Sequence, residues 1–175
     1  HPFHAAGLFY LQEPSAMAAV EALQPQPGEC ILDLAAAPGG KATQIASRME
    51  NQGLLLANDP HAGRVQALAR NLERWGVRHT AVTRDMPERL ADQLGPIFDR
   101  VLVDAPCSGE GMFRSHPGER KRWSSGFVRR CAAKQQEILW HAARLVKNGG
   151  VLVYATCTLN RMENEEVRRK FLKAR

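Results

Sequence analysis

Four acids and two cysteines stand where a chain alternating strand with helix would gather them at one edge. Asp33, Asp59, Asp85 and Asp104 each fall at or just past the end of a short apolar run, and Cys107 and Cys157 lie just beyond two such runs. After the first acid comes a small-residue turn, Ala35-Ala36-Ala37-Pro38-Gly39-Gly40-Lys41, which leads into a helical pattern. Strand, small-residue turn and helix in that order let backbone approach a nucleotide-like ligand at the helix N-terminus. The turn is not a phosphate loop. It lacks Gly-x-Gly-x-x-Gly, Ala35 stands where a P-loop has its first Gly, and Ala42 follows Lys41 where Ser or Thr would hold magnesium. Small residues serve tight helix-sheet packing equally well, so the turn by itself leaves both readings open.

The acids bear on that choice, because ligands of an open parallel sheet sit outside the carboxyl ends of its strands. Asp59 is placed to accept hydrogen bonds from ribose hydroxyls, and Pro60 and Met86 to press on an adenine ring. Any one such Asp is accounted for as a helix N-cap. Four in register ask for more. A ligand with ribose, adenine and a positive centre but no phosphate suits an acidic, small-residue pocket, and S-adenosylmethionine is the expected cofactor.

Most free cysteines are small buried hydrophobes. Cys30 and Cys131, inside apolar patterns, keep that reading. The wide spacing of the four cysteines offers no Cys-x-x-Cys pair, and the six histidines are scattered; we expect no metal and a reducing, cytoplasmic setting.

The elements that must carry these residues are legible from periodicity. Strands are predicted at 30–34, 54–58, 80–83, 100–103 and 150–156, and helices at 15–22, 41–49, 63–75, 128–146 and 163–172. Strands separated by helices imply an α/β fold with a doubly wound, mostly parallel sheet. The length of 175 residues fits one domain over 1–175, and 44% apolar with 24% charged residues excludes disorder and fibrous architectures. No apolar run approaches the ~18 residues of a membrane span. The start, His1-Pro2-Phe3-His4, has neither an initiator Met nor signal-peptide character, so the chain reads as cut from something longer. The stretch 105–127 has no periodicity and is rich in Gly, Pro, Ser, Arg and Trp, the character of a functional loop.

Charge concentrates beside that loop. Arg114, Arg120, Lys121, Arg122, Arg129, Arg130 and Lys134 face only Glu119 within 114–134, which accounts for the whole net charge of +6. Such a cluster suits a phosphate backbone, and the alternative is a solvated helix face. Trp123 either stacks on bases or fills a core position; Phe113 is read as core. The mixed charges of 161–175 are read as a solvated helix.

The strings Asp104-Ala105-Pro106-Cys107-Ser108-Gly109-Glu110-Gly111-Met112-Phe113-Arg114, Thr156-Cys157-Thr158 with Glu163-Asn164-Glu165, Ala36-Ala37-Pro38-Gly39-Gly40-Lys41 and Gly7-Leu8-Phe9-Tyr10-Leu11-Gln12-Glu13 together resemble the Nop/Sun-type RNA (cytosine-5) methyltransferase family. The Met112-Phe113-Arg114 continuation most resembles the F-type branch of bacterial ribosomal RNA small subunit methyltransferases. The resemblance implies a Rossmann-like class I methyltransferase core, truncated at both ends, without the RNA-binding segment before it and the final strands after it. It implies S-adenosylmethionine contacts at Ala36, Ala37, Pro38, Gly39, Gly40, Lys41, Asp59, Asp85 and Asp104. It makes Cys157 the nucleophile and gives Cys107 the release of the methylated base. The implied substrate is RNA, 16S ribosomal RNA or a small-subunit particle, and the charge cluster makes Arg114, Arg120, Lys121, Arg122, Arg129 and Arg130, with Trp123 among them, the expected contacts to it.

The chemistry accounts for the residue types. Cytosine C5 is too poor a nucleophile to take a methyl group directly, so a thiolate adds at C6 and pushes electron density onto C5. Asp104 is then the group that hydrogen-bonds or protonates N3. A methyltransferase of another acceptor would have no use for two positioned cysteines, and a silent RNA-binding module would transfer no methyl group.

Overall fold

The computed structural model describes residues 1–174. Five parallel strands form one sheet in the order β3-β2-β1-β4-β5, with β1 at Cys30–Asp33, β2 at Leu54–Asn58, β3 at Thr80–Thr83, β4 at Phe98–Asp104 and β5 at Val146–Ala155. The helices are α1 (Pro2–Ala5), α2 (Pro14–Leu23), α3 (Gly40–Arg48), α4 (Ala62–Arg74), α5 (Pro87–Leu94), α6 (Pro117–Arg122), α7 (Ser125–Ala143) and α8 (Glu165–Lys173), with a 3-10 turn at Glu110–Met112.

Alternation along each strand divides the core in two. Ile31, Leu55, Ala57 and Leu102 face Val20, Leu23, Ile45, Leu68 and Leu72 of α2, α3 and α4. Their neighbours Leu32, Leu56, Val101 and Val103 face Leu90, Ala91, Ile138 and Ala142 of α5 and α7. Strands buried on both faces must be apolar throughout, which is why they read as continuous runs. The chain winds from β1 outward through β2 to β3, then returns to place β4 on the other flank of β1. This reversal opens a crevice at the carboxyl ends of β1 and β4, where Asp33 and Asp104 stand.

Three differences from the expected elements have physical causes. α5 was not expected; it is short, starts on Pro87 and buries only that residue, Leu90 and Ala91, too few positions to set a period. The stretch 105–127 is not one loop: it holds the 3-10 turn, α6 and the start of α7, which begins at Ser125 because the Ser124 side chain accepts the Phe127 N–H at 3.1 Å. β5 begins at Val146 rather than 150, since Val146 pairs with Phe98 and the register shifts before Val151 meets Arg100. That pairing also ends α7 at Ala143, short of the expected 146.

Candidate active site

The small-residue turn is locked from three directions. Buried Asn58, at the end of β2, donates from Nδ2 to the carbonyls of Leu34 and Asp85, both at 3.0 Å. Its Oδ1 accepts from the Thr83 hydroxyl (3.0 Å) and the Asp85 N–H (2.9 Å), so one amide ties the ends of three strands. The Ala36 N–H reaches the Asn58 carbonyl at 2.7 Å. From α4, Arg64 Nη2 donates to the Ala37 carbonyl, and Asn71 Nδ2 donates to the Pro38 carbonyl at 2.8 Å. Gly39 takes φ +117° at the helix N-cap, a conformation that disfavours any side chain. Ala36 and Ala37 are buried, Pro38 is exposed, and Gly40 and Lys41 are half-buried. Tyr10 and Gln12 pack over Gly40, bringing the early 7–13 segment to the same turn.

The four acids do not act as helix N-caps: the helices after β1, β2 and β3 are capped by Gly39, His61 and Met86, none through its side chain. Asp33 is fully buried, and its carboxylate oxygens make no well-formed hydrogen bond among the described residues, the Ala35 backbone N–H being the one donor near enough to favour the charged form. Burial, reinforced by the nearby Asp104 charge and opposed by Lys41, pushes its pKa up to about 7. Asp59 is also fully buried. Its Oδ1 accepts the His61 N–H at 3.0 Å, while Oδ2 has no hydrogen bond and lies 3.4 Å from Arg64 Nη1. Asp85 is half-buried, accepting the Met86 N–H at 2.9 Å with Arg89 Nε 3.3 Å away. Asp104 Oδ2 pairs with Lys41 Nζ at 2.7 Å, joining β4 to the small-residue turn. Of the two expected ring contacts, Met86 is exposed and Pro60 half-buried.

The two cysteines, fifty residues apart in sequence, come together with their Sγ atoms 3.1 Å apart. Cys157 is exposed and Cys107 half-buried. A hydrogen bond from Cys107 lowers the Cys157 pKa, with help from the Lys41 charge against burial and Asp104. The same bond, with burial, drives the Cys107 thiol well above the usual range. The more exposed Cys157 is thus the thiol this arrangement favours as the anion, with the half-buried Cys107 facing it as the thiol. Cys30 and Cys131 are half-buried, and burial raises both thiols.

Close packing of the two loops fixes this pair. The Gly111 N–H donates to the Cys157 carbonyl at 3.0 Å, and a Cβ on Gly111 would sit 2.8 Å from that oxygen. Ser108 Oγ lies 2.9 Å from Thr158 Oγ1. Asn164 accepts the Thr156 hydroxyl at 2.7 Å and donates to the Thr158 and Asn160 carbonyls. Sequence reasoning missed Asn58, Arg64, Gln135 and the side-chain role of Glu163, whose partners are remote in sequence.

The basic residues Arg114, Arg120, Lys121, Arg122, Arg129 and Arg130 are exposed. Arg122 lies 3.6 Å from Glu119, and Arg122 and Arg130 hold their guanidinium carbons 5.9 and 5.7 Å from the Phe127 ring centre. Trp123 is 42% exposed, so it is not a core residue. Its Nε1 donates to Glu110 Oε1, which also accepts from Asn160 Nδ2, both at 2.9 Å. Glu110 thus links the basic segment to the turn after Cys157. Phe113, read as core, is half-buried.

A family model described as 16S rRNA methyltransferase RsmB/F matches residues 20–175. Ribosomal RNA small subunit methyltransferase F of Pectobacterium carotovorum subsp. carotovorum (strain PC1) is 45% identical over 166 residues, covering 94% of this chain and 34% of that protein. Its counterpart from Salmonella heidelberg (strain SL476) is 48% identical over 166 residues, covering 94% and 35%. The crystal structure of NSun6 from Pyrococcus horikoshii with SFG, an S-adenosylmethionine analogue, superposes with a TM-score of 0.92 at 32% identity, covering 99% of this chain and 44% of that one. The chain spans about a third of the length of the curated relatives it matches.

Proposed function

Because this chain belongs to the 16S rRNA methyltransferase RsmB/F family, we propose that it is the catalytic domain for methylating cytosine C5 in small-subunit ribosomal RNA. The observation that carries this reading is the Cys107–Cys157 contact of 3.1 Å at the carboxyl edge of the sheet, beside the Lys41–Asp104 pair.

The residues present fit S-adenosylmethionine. Asp59 Oδ2 is buried without a hydrogen bond, and the buried Asp33 carboxyl has no side-chain hydrogen-bond partner, so acceptor oxygens at the strand ends are left for a ligand. The turn Ala36-Ala37-Pro38-Gly39-Gly40-Lys41 with Asp59, Asp85 and Asp104 would hold it, and it supplies an electrophilic methyl group on a sulfonium centre.

The chain's own residues supply the rest. Cys157, the more exposed and more acidic thiol, donates its electron pair to cytosine C6. Asp104 has one oxygen on Lys41 and keeps the other for the base edge. After transfer the C5 proton passes to water, the C6–S bond breaks and its electron pair returns to Cys157. The Cys107 S–H steadies that departing thiolate. A paired cytosine must leave its stack to reach both sulfurs. The exposed basic side chains of 114–130 are suited to the RNA backbone.

The test uses the full-length protein with RNA and S-adenosylmethionine. Cys157→Ala should give neither methylation nor a covalent adduct, whereas Cys107→Ala should accumulate enzyme attached to its RNA as a denaturation-resistant gel shift. The opposite pattern would exchange the two roles. Methylation intact in both variants refutes covalent catalysis by these residues.

A further inference from the structure

The residues flanking Cys107 are held by two buried side chains that the chemistry above does not use. Gln135, on α7, donates from Nε2 to the carbonyl of Pro106, the residue before Cys107, at 2.9 Å. Glu163, just before α8, accepts the N–H of Ser108, the residue after it, on Oε2 at 2.9 Å. The two join each other at 2.9 Å, Gln135 Nε2 to Glu163 Oε2, so the clamp closes around the cysteine. Both residues are fully buried. The Glu163 carbonyl accepts the Tyr154 hydroxyl at 2.6 Å, which anchors the clamp to β5.

A carboxylate and an amide so deeply buried are costly, and Glu163 Oε1 and Gln135 Oε1 have no hydrogen-bond partner among the described residues. Apolar side chains of similar size would fill the space as well or better. What they lack is direction: two hydrogen bonds fix the peptide planes on either side of one residue, and so the direction of its side chain. The turn carrying Cys157 is held mainly by other groups, the Thr156–Asn164 and Asn164–Thr158 bonds and the Gly111 N–H, and meets the clamped segment through the Ser108–Thr158 hydroxyl contact.

We propose that Glu163 and Gln135 are positioning residues for Cys107, aiming its thiol at Cys157 so that they govern release of the methylated base more than attack on it. This rests on the covalent reading above. It separates two steps that a general loss of structure would slow together.

The experiment is single-turnover reaction of the full-length protein with RNA and S-adenosylmethionine, following adduct formation and adduct decay separately. Glu163→Ala and Gln135→Leu should release the adduct about a hundredfold more slowly, the loss expected of a reacting group displaced by 1 Å, and should slow its formation by a clearly smaller factor, because the Cys107 S–H also faces Cys157 before attack. Glu163→Gln keeps an acceptor oxygen for the Ser108 N–H and should recover most of the release rate. Gln135→Leu preserves volume and decides the question where Glu163→Ala does not fold. Equal slowing of attack and release in Gln135→Leu, or unchanged release, overturns the proposal. A Cys107→Ala control that accumulates no adduct overturns the covalent reading instead.

Discussion

Replacing Asp33 by asparagine should stabilise the protein, and more so as pH rises. The Asp33 carboxyl is fully buried without a well-formed hydrogen bond, and its pKa is pushed up to about 7 from an ordinary 3.8 by burial first and by the Asp104 charge second, against Lys41 and the Ala35 N–H. The folded chain therefore keeps this proton at pH values where the unfolded chain has lost it. Between about pH 4 and 7 the unfolded state binds fewer protons, so stability falls with rising pH across that window. Below it both states are protonated, and above it the loss is complete. At 1.36 kcal/mol per pH unit the difference is worth about 4 kcal/mol. The asparagine side chain has the shape of the protonated acid and does not titrate, so the difference between the Asp33→Asn variant and its parent isolates this group. It should be small at pH 4 and reach about 4 kcal/mol by pH 8. A domain of this size gains ~2–4 °C in Tm per kcal/mol, which makes the pH 8 gap about 8 to 16 °C. Denaturant unfolding of both proteins at unit pH steps measures the curve. A difference that stays flat from pH 4 to 8 would mean that Asp33 is solvated or paired in solution, and would refute an unsatisfied acid at the ligand crevice.

Gly111→Ala puts a methyl group 2.8 Å from the Cys157 carbonyl and should cost about 1–3 kcal/mol in unfolding experiments, with a larger fractional loss of methylation because it separates the cysteine loops. Asn58→Leu strands the Leu34 carbonyl and both backbone groups of Asp85, at about 1–3 kcal/mol per unsatisfied group, so urea titration should show a loss of about 3 kcal/mol or more. Reversing Arg120, Lys121 and Arg122 to Glu in the full-length protein should lower the salt slope of RNA binding by about 0.7 per lost single-strand contact; an unaltered slope would assign this face to solvent.

What the sequence discloses depends on how local each cause is. β2 has the expected bounds because its apolar run is closed by Gly53 before it and Asp59-Pro60 after it, and β3 because its β-branched Thr80-Ala81-Val82-Thr83 stands between charged residues. α6 buries no residue at all, so nothing in its composition announces a helix. The strand-end acids and the two cysteines were legible because strand order alone brings them to one edge. Gln135 and Glu163 were not, since each reads as an ordinary polar residue until the fold sets them 2.9 Å apart across 28 positions. Asn58 stands next to Asp59 at the same strand end, yet its four side-chain bonds all go to segments 24 or 27 residues away or, for Thr83, 25. Position relative to a strand end survives in sequence; partnership across the core does not.

Lys41 joins the small-residue turn to the side of the crevice that carries the two cysteines. Its ammonium pairs with Asp104 at 2.7 Å, opposes the rise of the Asp33 pKa, and favours the Cys157 thiolate against the negative charge of Asp104. One cation thus faces three groups whose negative forms oppose one another at close range. The pair is only partly exposed, with 17% of the Lys41 side chain and 32% of the Asp104 side chain open to solvent, so solvent screens it incompletely. The residue sits at the start of α3 because the small-residue turn ends there, and that turn is held by Asn58 and α4. The placement of charge beside Cys157 is therefore set by the same backbone that would receive S-adenosylmethionine, and a change in either is felt by the other through a single side chain.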